Sequence, residues 1–193
     1  MNEIKRMSRA ELACELIAMP DASIAADAIV SYASGAISAS PSCEEQVSRK
    51  LSVAREVLMR DLAATMNKGP VMRSPDTVRE WLKLHCARLE HEVFILLHLD
   101  VRNRLIAAEE IFRGTLTHTS VYPREVVKSA LARNAASVLL AHNHPSGETD
   151  PSPADTVLTK QLVSALALVD VRVADHFIVA GDRILSFAEQ GLL

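Results

Sequence analysis

Two histidines, two serines and three acidic side chains fall within residues 141–155, AHNHPSGETDPSPAD. His142 and His144 are two residues apart at the end of the apolar run SVLLA. Residues two apart on a strand face the same side, so both imidazoles leave the strand end together. Neutral imidazole is a preferred zinc ligand. Taken alone, His-x-His is an ordinary polar strand end. The following PSGETDP is rich in turn formers and returns the chain toward the histidines. Ser152, Pro153 and Asp155 then open a helix as N-cap, N1 and N3. Asp155 therefore has two readings, a helix cap or a third metal ligand beside His142 and His144. Three protein ligands leave a fourth zinc position for water, the arrangement of a catalytic site.

Such a site needs a general base beside the water. Glu90, Glu92, Glu109, Glu110, Glu125 and Glu148 are the candidates. Glu92 opens the apolar run EVFILLHLD, and Glu90 shares its strand face. Glu148 and Asp150 read as loop charges. Ser152 is assigned a second role besides capping, donation of a hydrogen bond to the oxyanion formed on an attacked carbonyl. Asp175 and His176 read as a satisfied polar pair on a buried strand, with Asp175 as partner of His176 or of a ligand histidine. His85, His91, His98 and His118 read as surface or strand-edge residues.

His142-x-His144, seven residues, Ser152, two residues, Asp155 resembles the JAMM (JAB1/MPN+) metalloprotease motif at every defined position. The flanking GTLTHTSVYPREVVKSALARNAA and DHFIVAGDRILSFAEQGLL are similar to the RadC-like, UPF0758-type branch of that family. The resemblance covers residues 70 to 193. It implies a cytidine-deaminase-like three-layer α/β/α fold. It also implies one zinc held by His142, His144 and Asp155, and hydrolysis of peptide or isopeptide bonds in a protein or peptide substrate. The family's glutamate begins an apolar strand, which carries the role of base to Glu92 and leaves Glu90 as runner-up.

The elements that must position these residues follow from pattern. Strand-like runs alternate with helical ones from about residue 70, the signature of an α/β layered domain. Residues 70–193 are expected to form that domain, and residues 1–69 a helical segment. Ser8 and Glu11 have capping-box spacing ahead of ELACELIAM. Further helices are expected over SIAADAIVSYA and EEQVSRKLSVAREVLMRDLAATM, and GTLTHTSV has the pattern of a strand. The first segment resembles a degenerate helix-hairpin-helix, with CEEQVSRK where the glycine turn belongs. Acidic residues outnumber basic ones there and the chain carries a net charge of −3, so duplex binding is not expected.

Composition narrows the function classes. Hydrophobic residues make up 49% of the chain, enough for a real core, while aromatics at 4% leave aliphatic packing dominant. No apolar run reaches membrane-spanning length and no secretory leader is visible, so a cytoplasmic protein is expected. Cys14, Cys43 and Cys86 are far apart and read as free thiols. No Cys-x-x-Cys is present, which argues against a zinc deaminase. The chain is too short for the barrel on which amidohydrolases place their His-x-His. The adjacent letters HNH do not form the dispersed triad of HNH nucleases. The alternative to a hydrolase is a RadC-like, DNA-repair-associated or nucleic-acid-binding module whose metal site has a non-proteolytic role.

Overall fold

A strand apolar at every position must be covered on both faces, and VFILLHL has that character. It forms β1 (Val93–Leu99), buried along its whole length. A computed structural model of the protein describes residues 2–18, 41–71, 75–87, 89–114 and 121–193. It divides into two units, Met1–Asp61 and Leu62–Leu193. The expected helix over SIAADAIVSYA and the expected strand over GTLTHTSV lie outside the described residues.

The described helices of the first unit are α1 (Asn2–Arg6), α2 (Arg9–Ile17) and the greater part of α3 (Pro41–Lys68), which continues past residue 61. The expected capping box is formed: Glu11 N–H donates to Ser8 Oγ at 3.2 Å, and Ser8 N–H donates to Glu11 Oε2 at 2.6 Å. The far end of α2 is closed from α3. Lys50 Nζ donates to the carbonyls of Glu15, Leu16 and Ala18 at 3.1, 3.2 and 2.6 Å. These are carbonyls that a helix end leaves without intrahelical partners.

The second unit holds β1, β2 (Leu105–Arg113), β3 (Ser137–Asn143), β4 (Arg172–Ala180) and β5 (Arg183–Ser186) in one sheet of order β2-β1-β3-β4-β5. Three helices accompany it: α4 (Pro75–Cys86), α5 (Pro123–Ala132) and α6 (Pro153–Ala167). β1 and β2 form a hairpin whose turn is tied by Asp100. Its Oδ1 accepts from Arg102 N–H at 2.8 Å and Arg104 N–H at 2.9 Å, while Asn103 takes the left-handed conformation (φ 55°) that asparagine tolerates. β1 runs antiparallel to β3, β3 parallel to β4 with α6 between them in sequence, and β4 antiparallel to β5.

Alternation along the strands divides the core. Phe94, Leu96, Val138, Leu140 and Val173 pack against Val126 and Ala130 of α5 and Leu162 and Leu166 of α6. On the other face α4 meets β4 and β5, and Arg79 of α4 lies over the Phe177 ring at 6.0 Å. Val78, Trp81, Leu82 and Cys86 are the buried stripe of α4, spaced as one helix face. The sheet thus lies between helices on both sides, the three-layer α/β/α arrangement expected.

Two expectations about histidine and aspartate need correction. His98 is fully buried within β1, where it was expected at a surface or edge. Burial lowers its pKa, and its Nε2 lies 2.9 Å from Ser129 Oγ. Asp175 does not partner an imidazole. It faces away from the His176 ring and accepts from Ser186 Oγ at 2.5 Å, Ala188 N–H at 2.9 Å and His176 N–H at 2.7 Å. A buried carboxylate within β4 that ties the strand to β5 and the chain after it is architectural. Cys14 and Cys86 carry free thiols.

Candidate metal centre

β3 ends where the antiparallel β1 begins, and that crossing builds the site. The β1–β3 register pairs Phe94 with His142. Glu92 directly precedes β1, and its charge acts on His144. Glu90 lies before β1, in a bend, and is exposed. The backbone on either side of Glu92 is held by Asn143, which sits between the two histidines and points to the other face. Val93 N–H donates to Asn143 Oδ1 at 2.8 Å, and Asn143 Nδ2 donates to the carbonyl of His91 at 3.1 Å.

α6 delivers the third group. Its first turn is a capping box in which Asp155 N–H donates to Ser152 Oγ at 3.1 Å and Ser152 N–H donates to Asp155 Oδ2 at 2.8 Å. Ser152 Oγ also donates to Oδ2 at 2.6 Å. The carboxylate still reaches the histidines: Oδ1 lies 3.3 Å from His142 Nε2, and Oδ2 lies 3.6 Å from His144 Nε2. Cap and ligand are therefore compatible roles of one residue. The Ser152 proton is engaged by Asp155 in this state.

His142 and His144 turn their Nε2 atoms toward each other at 2.9 Å. One potential ligand atom from each of His142, His144 and Asp155 lies within 4.8 Å of the others. The loop returns to fix the His144 ring. Gly147 adopts φ 84°, a left-handed conformation glycine takes without strain, and the turn brings the Glu148 carbonyl to 2.7 Å from His144 Nδ1. A carbonyl only accepts, so Nδ1 carries the proton and the neutral ring keeps its lone pair on Nε2.

The electrostatics favour positive charge at that point. For Asp155, burial works to raise the pKa, but the hydrogen bonds of His142 and His144 outweigh it and hold the carboxyl far below the usual carboxylate range. The His144 pKa is raised, first by its hydrogen bond to Asp155, with burial opposing and Glu92 among the contributing charges. Two lone-pair nitrogens beside an ionised carboxylate form an N₂O donor set that suits a divalent cation of zinc's character. The residues present thus fit one metal ion.

Behind the site stands a partner that the sequence reading did not assign. His142 Nδ1 lies 2.9 Å from His176 Nε2, and His176 Nδ1 lies 2.7 Å from Thr159 Oγ1. The signal for Thr159 was present in α6, whose buried stripe is Thr159, Leu162 and Leu166. A hydroxyl on an otherwise apolar buried face needs a partner.

A second imidazole–hydroxyl pair has a different order. Ser129 Oγ accompanies His98 but donates to Glu109 Oε2 at 2.8 Å, and His98 Nδ1 faces the Ala107 carbonyl at 3.3 Å. A nucleophilic triad needs the carboxylate behind the imidazole, so this network is architectural.

A family model described as RadC-like JAB domain matches residues 72–192. A UPF0758 protein of Aromatoleum aromaticum is 63% identical over 145 residues, which are 75% of this chain and 64% of that protein. A UPF0758 protein of Leptothrix cholodnii is 54% identical over 153 residues, 79% of this chain and 67% of that protein. A UPF0758 protein of Herminiimonas arsenicoxydans is 55% identical over 144 residues, 75% and 64% of the two chains. The chain spans about two thirds of the length of the curated relatives it matches.

Proposed function

The chain belongs to the RadC-like JAB domain family, and from that premise we propose that it is a zinc-dependent hydrolase of peptide or isopeptide bonds. The observation that carries the reading is the convergence of His142 Nε2, His144 Nε2 and the Asp155 carboxylate at the mouth of β3. His142, His144 and Asp155 would hold one zinc. When bound, it would supply Lewis acidity and make the attacking water more acidic.

The chain's own residues do the rest. Glu92, at the start of β1 and close enough for its charge to act on His144, accepts a proton from the attacking water and passes it to the leaving amine. Asn143 holds the backbone on both sides of Glu92 and so fixes where that carboxylate begins. Ser152 donates to the oxygen of the attacked carbonyl once its hydroxyl turns from Asp155 Oδ2. The substrate is a protein or peptide. A cytoplasmic setting suits the free thiols of Cys14 and Cys86. No helix among the described residues is long and apolar enough to cross a membrane.

The nucleic-acid alternative is weakened by the first unit, where Arg9, Arg49, Lys50 and Arg60 are engaged with carboxylates and helix carbonyls. The test is metal analysis of the purified chain together with a screen against peptide and isopeptide libraries, with Glu92→Gln as control. Zinc-dependent cleavage lost in Glu92→Gln supports the reading. A zinc-loaded chain that cleaves neither library overturns it.

A further inference from the structure

A backbone carbonyl can only accept a hydrogen bond. The carbonyl of Asp155 lies 2.6 Å from Thr159 Oγ1, so the Thr159 hydroxyl donates to it. Thr159 Oγ1 then accepts from His176 Nδ1 at 2.7 Å. A neutral imidazole has one N–H, so His176 Nε2 is left as an acceptor. Facing it at 2.9 Å is His142 Nδ1, which must donate. The remaining nitrogen of His142, Nε2, keeps its lone pair and is the atom that meets His144 and Asp155.

We infer that Thr159 and His176 are positioning residues of the metal centre, holding His142 in the Nδ1–H tautomer with its Nε2 lone pair turned to the metal. The inference rests on the metal-centre reading above. The relay leaves one ligand residue, passes through two side chains and ends on the backbone of another, so it also ties β3 to the first turn of α6. His176 is 0% exposed, with the Phe187 ring stacked at 4.8 Å and the Phe94 ring edge-on at 5.7 Å. The neighbouring Asp175 is turned to Ser186 and Ala188. Without the Thr159 hydroxyl nothing holds the His176 proton on Nδ1. Moved to Nε2, that proton reverses the bond to His142 and sends the His142 proton to Nε2, where the metal belongs.

Thr159→Val keeps the shape and removes the hydroxyl, while Thr159→Ser keeps the hydroxyl. Zinc affinity of the full chain, read by competition with a chromogenic chelator, should fall about 10–100-fold in Thr159→Val and recover in Thr159→Ser. A folded Thr159→Val chain that binds zinc as tightly as wild type overturns the inference. A second readout needs no variant. Long-range ¹⁵N–¹H spectra of the metal-free wild-type chain above about pH 8.5, where an ordinary imidazole is neutral, should show His142 and His176 both protonated on Nδ1. A His142 proton on Nε2 overturns the inference whether or not Thr159→Val folds. A wild-type chain that binds no zinc would instead remove the metal-centre reading and the purpose of the relay with it. Wild-type binding matched by Thr159→Val removes the relay alone.

Discussion

The two units use their polar side chains in opposite ways. In Met1–Asp61 the cationic groups close helix ends and pair with acids. Lys50 covers three carbonyls at the end of α2, Arg60 covers Met7 and Lys5, Arg9 meets Asp61 and Arg49 meets Glu15. Each of these groups finds its partners within the chain. In Leu62–Leu193 the hydrogen bonds around the candidate metal centre attach to the back of each imidazole. His144 Nδ1 goes to Glu148 and His142 Nδ1 to His176. The front atoms are left facing one another. Internal partners make architecture, and converging atoms whose backs are committed make a ligand site.

The sharpest way to break this contrast is Glu92→Gln. If the converging cluster is a catalytic centre, turnover should fall about 10²–10⁴-fold with zinc content and melting temperature unchanged. Near-normal turnover on a validated substrate would move the base elsewhere, with Glu90 next to be tested.

Ser152→Ala separates the cap from the oxyanion donor. Loss of the cap alone costs about 1 kcal/mol of stability and spares turnover. Loss of the donor cuts kcat by about 10²–10³ with zinc still bound. The second outcome is expected. A drop in melting temperature with kcat intact would leave Ser152 as a cap only.

Asn143→Ala should keep zinc and lower kcat about tenfold, since a base displaced by a fraction of an ångström loses its alignment. Unchanged kcat in a folded variant would show that Glu92 is placed without the clamp on His91 and Val93.

Most of the site was legible because it lies where the chain changes periodicity. His142 and His144 end an apolar run, and Ser152 and Asp155 begin a helical one, so local rules place all four near one strand end. The capping box at Ser152 was equally local. The partners that orient the ligands are distant in sequence. His176 reaches His142 only through the β3–β4 pairing, and Asn143 reaches His91 and Val93 only through β1–β3. No periodicity in either segment announces those contacts. His98 was misplaced for the same reason: one histidine in VFILLHL reads as an edge until the strand is known to be covered on both faces. Asp175 was misassigned because it precedes His176, and neighbours on a strand face opposite sides.

The smallest expected effect lies in the first unit. Lys50→Ala should lower stability by roughly 1 kcal/mol, through carbonyls left without a donor, and leave zinc affinity unchanged. The wild-type chain should show no tight duplex binding at about 0.15 M salt. A complex whose affinity falls steeply with salt, weakened further by Lys50→Ala, would show that these cations serve an outside partner.

The central claim is that two imidazole nitrogens and one carboxylate at the end of β3 hold one metal ion. X-ray absorption at the zinc edge of the loaded full chain tests it directly. One zinc per chain is expected, with nitrogen and oxygen neighbours at about 2.0–2.2 Å and multiple scattering from two imidazoles. Failure to bind zinc stoichiometrically, or a sulfur shell at about 2.3 Å, would contradict the account.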